Sequence, residues 1–415
     1  MLDLNTSNFS SFYDLINFLV ILTFIFLIFK KNLINKFGFL ILSLFSITPI
    51  LGNDVIWDFN VFPDQTKYII NTTVIRGNYF TILGEIFTGN WTSFHNRFDI
   101  ALGNAYVPTR FASLFIASTP IPFVETVRSL GFFSKFIFVV WLIYLIFHNR
   151  KLRKNEKNYY YYLLLLSPSL LIYTSVALKE AYIIVFFHLC MFFILYKKPC
   201  LFIISFFLLG LLRFELMIII GIFSVAYIYI FFYLPEEKIS KSIQDLLKFL
   251  IVLSILIFLI IFINDLSFIK EYFNIFVERV NGMKLGYHME GDINSELRLY
   301  SYDFSIIPII YDGYYAIMSP IFSKSNNIFL YLLIIENFLI TSLFIFYFIV
   351  LAKTNFLKSI FYIILFLCFN LSVGILVIND MAIYRYKISM LIPLILIIRE
   401  EVLNCKNENI IFNKS

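Results

Sequence analysis

The chain has 415 residues, 60% of them hydrophobic and 14% charged, with a mean hydropathy of +0.85 and a formal net charge of +6. Soluble domains carry about 25% charged residues, so a water-soluble fold of this length is excluded as a home for so much apolar surface. The basic balance is not a nucleic-acid footprint either, because the chain has no basic stripe of the kind a duplex needs.

A window of about 19 residues finds eleven apolar runs, near 13–29, 37–52, 131–148, 159–177, 180–196, 199–212, 216–234, 249–264, 327–352, 359–378 and 388–398. The expected fold is therefore all-α: a single polytopic integral membrane domain, 1–415, with about eleven transmembrane helices (range 9–13). Several runs are short for a hydrocarbon core of about 30 Å. The pair 180–196 and 199–212, and the last run, are expected to be tilted or partly re-entrant. The first run follows Asp14 with no basic stretch before it, and reads as a permanent span rather than a cleaved leader.

Sidedness follows from Lys and Arg beside the span ends. Alternate short loops collect 18 basic residues against 7 acidic ones, from Lys30, Lys31 and Lys36 through Arg150–Lys157 to Arg399, Lys406 and Lys414. That side is expected to be cytoplasmic, which puts the N-terminus outside and the C-terminus inside. Two long loops, 53–130 and 265–326, then lie outside, where long loops tend to carry function. The inner loops leave no room for a nucleotide-binding domain, and no Walker-type loop is present. Cys190, Cys200, Cys368 and Cys405 lack metal-type spacing. His95, His148, His188 and His288 are isolated, and no Asp-x-Asp motif occurs. No metal and no cofactor are expected.

Some charges stand where the topology rule disfavours them. Lys179 precedes Glu180 between two runs, Arg213 and Glu215 separate the next outward pair, and Tyr384, Arg385 and Lys387 precede the last run. Arg97 and Arg110 flank a polar stretch of the first long loop. A charge at mid-bilayer costs about 2.5–3.5 kcal/mol even on the mild insertion scale, so these residues must pair, sit at the interface or line a wet cavity. One reading is a set of local ion pairs at helix ends. The other is a shared outward site for an anionic headgroup such as a lipid-linked phosphate, which suits the bidentate arginine fork. Glu336 lies about ten residues into its run, about 14 Å deep at 1.5 Å per residue. It is expected to meet an outer cation or a neighbouring helix. After the second run, Asp54, Asp58 and Asp64 gather carboxylates that suit a general base or a sugar hydroxyl.

Several motifs carry a resemblance. Pro63-Asp64 followed by Tyr68 resembles the acidic opening of C-type glycosyltransferases, which use lipid-phosphate sugar donors. Pro120-Ile121-Pro122-Phe123 with Arg128-Ser129-Leu130-Gly131-Phe132, Ser167-Pro168-Ser169 before Leu178-Lys179-Glu180, and Tyr384-Arg385-Tyr386 before Pro393 resemble bacterial O-antigen and exopolysaccharide polymerases of the Wzy/EpsG kind. At the position of Lys179 those families often carry Arg, so this chain departs from the pattern there.

The resemblance implies a metal-independent glycosyltransferase of the bacterial inner (plasma) membrane that polymerises a cell-surface polysaccharide from undecaprenyl-pyrophosphate-linked repeat units. An acceptor hydroxyl would attack the anomeric carbon as the pyrophosphate leaves. Arg213 and Arg385 would stabilise the leaving group, and Asp58 or Asp64 would take the acceptor proton. Arg97, Arg110, Lys179, Glu180, Glu215, Tyr384 and Lys387 would bind substrate, with Tyr287 stacking on a sugar and His288 bonding one. The implied partners are the polyprenyl-linked glycan, the bilayer, and a chain-length regulator or flippase of the same pathway. Two alternatives stay open: a C-type transferase using a polyprenyl-monophosphate sugar, and a non-enzymatic glycan or lipid flippase or transporter.

Overall fold

The computed structural model describes residues 11–55, 64–90, 107–122, 127–152, 159–175, 179–233, 274, 277–278, 280–282, 284–285, 306–320, 328–376 and 380–412. Among these residues all regular structure is helical. Five helical segments are long and apolar enough to cross a bilayer: Phe12–Lys30, Leu130–Asn149, Phe214–Phe231, Tyr331–Thr354 and Phe356–Ile375. A sixth follows if Pro168–Ser175 and Glu180–Leu195, set at 116° to each other, make one broken span. Lys36–Ile50 and Pro199–Leu212 are apolar but shorter. The run at 249–264 lies outside the described residues.

The chain divides into two compact units, Met1–Val185 with Leu211–Arg213, and Phe186–Gly210 with Phe214–Ser415. In the first unit, α1 (Ser11–Lys30) and α2 (Lys36–Val55) form a hairpin. Its turn is made by Asn32 in the left-handed region, with φ 56°, where asparagine is better tolerated than most residues. The Asn35 side chain caps α2 by accepting the Gly38 N–H at 2.7 Å. The long helix α6 (Val127–Leu152) packs on both arms, and its Phe138 and Trp141 join Phe45 of α2 in the core.

The expected 37–52 span is helical through Val55, with Pro49 inside it. The expected 159–177 span is split, because Ser167 caps a new helix that begins with Pro168. This gives α7 (Tyr159–Leu164) and α8 (Pro168–Ser175), both packed on α2. The first long loop carries α3 (Asp64–Gly77), α4 (Tyr79–Phe87) and α5 (Val107–Ala117). Helices α3 and α5 pack together around Ile75, Ile82 and Phe111.

The α9 helix (Glu180–Leu195) passes from the first unit into the second and ends at Lys197, which is left-handed with φ 54°. It is followed by α10 (Pro199–Leu212) and α11 (Phe214–Ile228), the latter running into a π-helical turn at Tyr229–Tyr233. The second unit then builds on α13 (Ile328–Thr354), α14 (Phe356–Leu376) and α15 (Asp380–Phe412), which pack mutually. Helix α12 (Ile306–Met318), within the second expected loop, lies along α14. The two backbones approach so closely that a Cβ on Gly374 would overlap the Asp312 carbonyl.

Helix α13 is apolar around its whole circumference and leaves Ile335, Phe338 and Phe346 exposed. Such a surface is stable only in an apolar solvent or under a partner. The last element departs most from expectation. The apolar run 388–398 is the middle of a 33-residue helix. That helix continues through Arg399, Glu400 and Glu401 because these charges are buried and bonded rather than solvated. Glu401 accepts from the Tyr227 and Tyr362 hydroxyls and, at 2.7 Å, from Lys358 Nζ. Glu400 accepts from Tyr196 at 3.0 Å and from Arg399 at 3.4 Å.

Candidate functional site

The second unit concentrates polar side chains at the Asp380 end of α15. Tyr384, fully buried, donates to Glu336 of α13 at 3.2 Å. The deep Glu336 thus meets a hydroxyl from a neighbouring helix. Lys387, also buried, donates to the Ile317 carbonyl and, at 3.2 Å, to that of Ser319. Those carbonyls belong to the C-terminal end of α12, where a cation complements the helix dipole. One turn earlier, Asp312 accepts from Lys284 at 2.9 Å, and the Lys284 side chain is 1% exposed. Lys387 and Lys284 therefore both fix α12 in place.

Arg385 differs from its neighbours. It is only half-buried, its guanidinium stacks over the Tyr386 ring at 5.0 Å, and it donates to the Tyr386 hydroxyl at 3.2 Å. Stacking holds a planar fork in a set orientation. From the sequence, Arg385 is expected at the leaving group and Tyr384 and Lys387 at the substrate. In the structure the first and third lock helices together, and the middle one lies against the Tyr386 ring.

The remaining expected site residues fall as follows. Lys179 is half-buried in the turn before α9 and Glu180 is buried at its first residue. The Lys179 carbonyl opens that helix by accepting the N–H groups of Tyr182 and Ile183. Arg213 is half-buried at the break between α10 and α11, and Glu215 is exposed in the first turn of α11, where the helix dipole favours an acid. Arg110 is buried on α5. Asp64 opens α3, with its side chain outside the described residues, as are Asp58, Arg97, Tyr287 and His288. Among the described residues no group of three or more His, Cys, Asp or Glu side chains is arranged to hold a metal ion.

Four polar residues gain importance only in three dimensions. Lys284 and Asp312 lie in a stretch that reads as a loop. Arg76 donates to the Pro122 carbonyl at 2.7 Å and to that of Thr119 at 3.4 Å, and sits 4.9 Å from the Phe133 ring. It thereby ties the end of α3 to the chain after α5. Burial draws Arg76 and Arg110 below the ordinary arginine pKa, which still leaves both cationic. Lys135, inside the apolar run of α6, is fully buried. It donates to the Leu171 carbonyl at 3.0 Å and lies 3.8 Å from the Phe45 ring. A basic residue interrupting an apolar run was the available signal for Lys135. Comparison of the chain with protein-family models, curated proteins and solved structures finds no match.

Proposed function

We propose that this chain is a membrane glycosyltransferase that polymerises a cell-surface polysaccharide from polyprenyl-pyrophosphate-linked repeat units on the outer face of a bacterial inner membrane. The reading adopts the eleven-span topology, with an outside N-terminus, an inside C-terminus and two long outer loops that carry helices. The observation that supports it best is Arg385: a part-buried guanidinium stacked on Tyr386, on the same helix as a buried polar set (Tyr384 with Glu336, and Lys387). A preorganised cation at a low-dielectric margin favours charge that develops on a departing phosphate.

In this mechanism an acceptor hydroxyl attacks the anomeric carbon of the donor glycan. The carbon–oxygen bond to the pyrophosphate breaks, and the leaving anion is stabilised by a cation, Arg385 of the second unit or Arg213 of the first. Asp58 or Asp64 takes the hydroxyl proton. Removing one such electrostatic contact costs roughly 10²–10³ in turnover. The experiment is complementation of a deletion strain, with surface glycan resolved by length on a gel. Wild-type protein restores the ladder. Arg385→Ala or Arg213→Ala, present at wild-type level, leaves single repeat units. A normal ladder from both variants removes the proposed cation roles, and a normal ladder in the deletion strain removes the polymerase.

A second reading, a glycan-lipid flippase, draws on the bent pair Pro168–Ser175 and Glu180–Leu195, since broken helices build many transport sites. It expects lipid-linked units to accumulate on the cytoplasmic face of the deletion strain, not the outer one.

A further inference from the structure

Contacts at two points along α12 fix its depth against its neighbours. At its middle, a Cβ on Gly374 would overlap the Asp312 carbonyl, and a Cβ on Gly313 would overlap the Leu371 side chain. Gly374 and Leu371 lie just inside Ile375, the end of the apolar span of α14. Asp312 and Gly313 therefore stand about 2–6 Å within that span at 1.5 Å per residue. At the C-terminal end of α12, the Ile317 and Ser319 carbonyls accept from Lys387 of α15. Helices α14 and α15 follow each other closely in sequence, ending at Leu376 and starting at Asp380, and pack together as a hairpin. Lys387 is about 10 Å down the second arm from Asp380. Helix α12 thus runs from the mouth of the hairpin inward along α14, and its last turn meets Lys387.

A helix that stops at this depth turns its final carbonyls away from water. Those carbonyls have no intrahelical donor, and within the hydrocarbon region they must be met by protein. The Ser319 N–H returns to the Tyr315 carbonyl at 2.8 Å. Lys387 supplies the Ile317 and Ser319 carbonyls, the latter at 3.2 Å. Ala316, Ser319 and Lys387 are all buried. The ammonium also offsets the negative end of the helix dipole. In broken transport helices the C-terminal ends of half-helices coordinate a sodium ion or a proton. Here a lysine side chain holds that place. Away from the hairpin, α12 exposes Ile310, Tyr311 and Tyr314, an apolar and aromatic set suited to the membrane boundary.

We propose that α12 is a re-entrant half-helix, which dips into the bilayer along α14, ends there, and is held by Lys387 as a built-in counter-charge. The second long loop, 265–326, is then in part a membrane element, and Lys387 is a positioning residue. The half-helix follows from the packing of α12 on α14 and α15 alone, and would serve a polymerase or a flippase equally.

The test uses full-length protein with Cys190, Cys200, Cys368 and Cys405 replaced by alanine, in nanodiscs of phosphatidylcholine. A single nitroxide is attached at Ile310→Cys, Tyr314→Cys or Met318→Cys, three positions on one face of α12. Collision with oxygen, which concentrates in the bilayer, and with a water-soluble nickel chelate reports the depth of each label. Depth is expected to increase along the helix by about 6 Å from each label to the next. Equal depths would lay α12 flat on the surface, and a reversed order would turn it outward. Either result overturns the re-entrant helix. In Lys387→Met the label at Met318→Cys is expected to rise to the level of the one at Ile310→Cys, while a label at Phe338→Cys on α13 keeps its depth. Lys387→Arg is expected to preserve the gradient. Should Lys387→Met lose the wild-type thermal transition, Lys387→Gln, which keeps N–H donors without the charge, replaces it with the same expectation. A wild-type gradient in the folded, uncharged variant overturns the role of Lys387.

Discussion

At Glu401 a single carboxylate joins three helices. One oxygen accepts from Tyr227 of α11 and Tyr362 of α14, the other from Lys358 of α14, while the carboxylate itself belongs to α15. Glu401 is fully buried, and the Lys358 side chain is 18% exposed. Replacing one partner of a buried pair strands the other, so Glu401→Gln is expected to lower stability by about 3 kcal/mol. Tyr227→Phe, which removes one hydroxyl, should cost about 1 kcal/mol. Denaturant titration in detergent followed by fluorescence checks both. The double change Lys358→Met with Glu401→Gln should cost less than the sum of the singles, because the two residues share one network. These contacts were illegible in the sequence for a physical reason. The partners of Glu401 lie 174, 39 and 43 positions away, and a charged residue at the end of an apolar run looks the same whether it faces water or a tyrosine from a distant helix. Arg385 was legible as a misplaced cation. That Lys387 donates to the carbonyls of Ile317 and Ser319 no local pattern reveals.

Helices were easier to foresee than their ends. Hydropathy is a local property, so the long apolar runs at 13–29, 131–148, 327–352 and 359–378 correspond to α1, α6, α13 and α14. The cap at Ser167 with Pro168 was visible as a motif but not as the break it makes. Helix α12 was hidden because it is only 13 residues long and contains Pro308 and Gly313, which read as loop. Its place depends on close backbone approach to α14. Gly374→Ala would drive a methyl group into the Asp312 carbonyl, and overpacking of this kind costs about 1–3 kcal/mol. Limited proteolysis should then cut within α12 faster than in the wild type. By contrast, Gly84 of α4 has open space around its Cα, so Gly84→Ala should be neutral or stabilising by up to about 1 kcal/mol. Equal proteolysis of the Gly374 and Gly84 variants would contradict the packing argument.

For the whole molecule the decisive quantity is charge asymmetry. The sidedness deduced from 18 basic against 7 acidic residues expects a C-terminal fluorescent-protein fusion to glow and a C-terminal alkaline phosphatase fusion to be silent, because the former matures in the cytoplasm and the latter outside it. The reverse pattern would turn the long loops inward and place Arg385 on the wrong face for a lipid-linked donor delivered outside. Polymerisation itself is measured by reconstitution. Full-length protein in proteoliposomes is given the lipid-linked glycan extracted from the deletion strain, and product length and released polyprenyl pyrophosphate are followed together. The expected products are glycans of two or more repeat units, with one polyprenyl pyrophosphate freed for each new linkage and both lost in Arg385→Ala. Protein that keeps its thermal transition yet leaves the glycan at a single repeat unit and frees no pyrophosphate would contradict it.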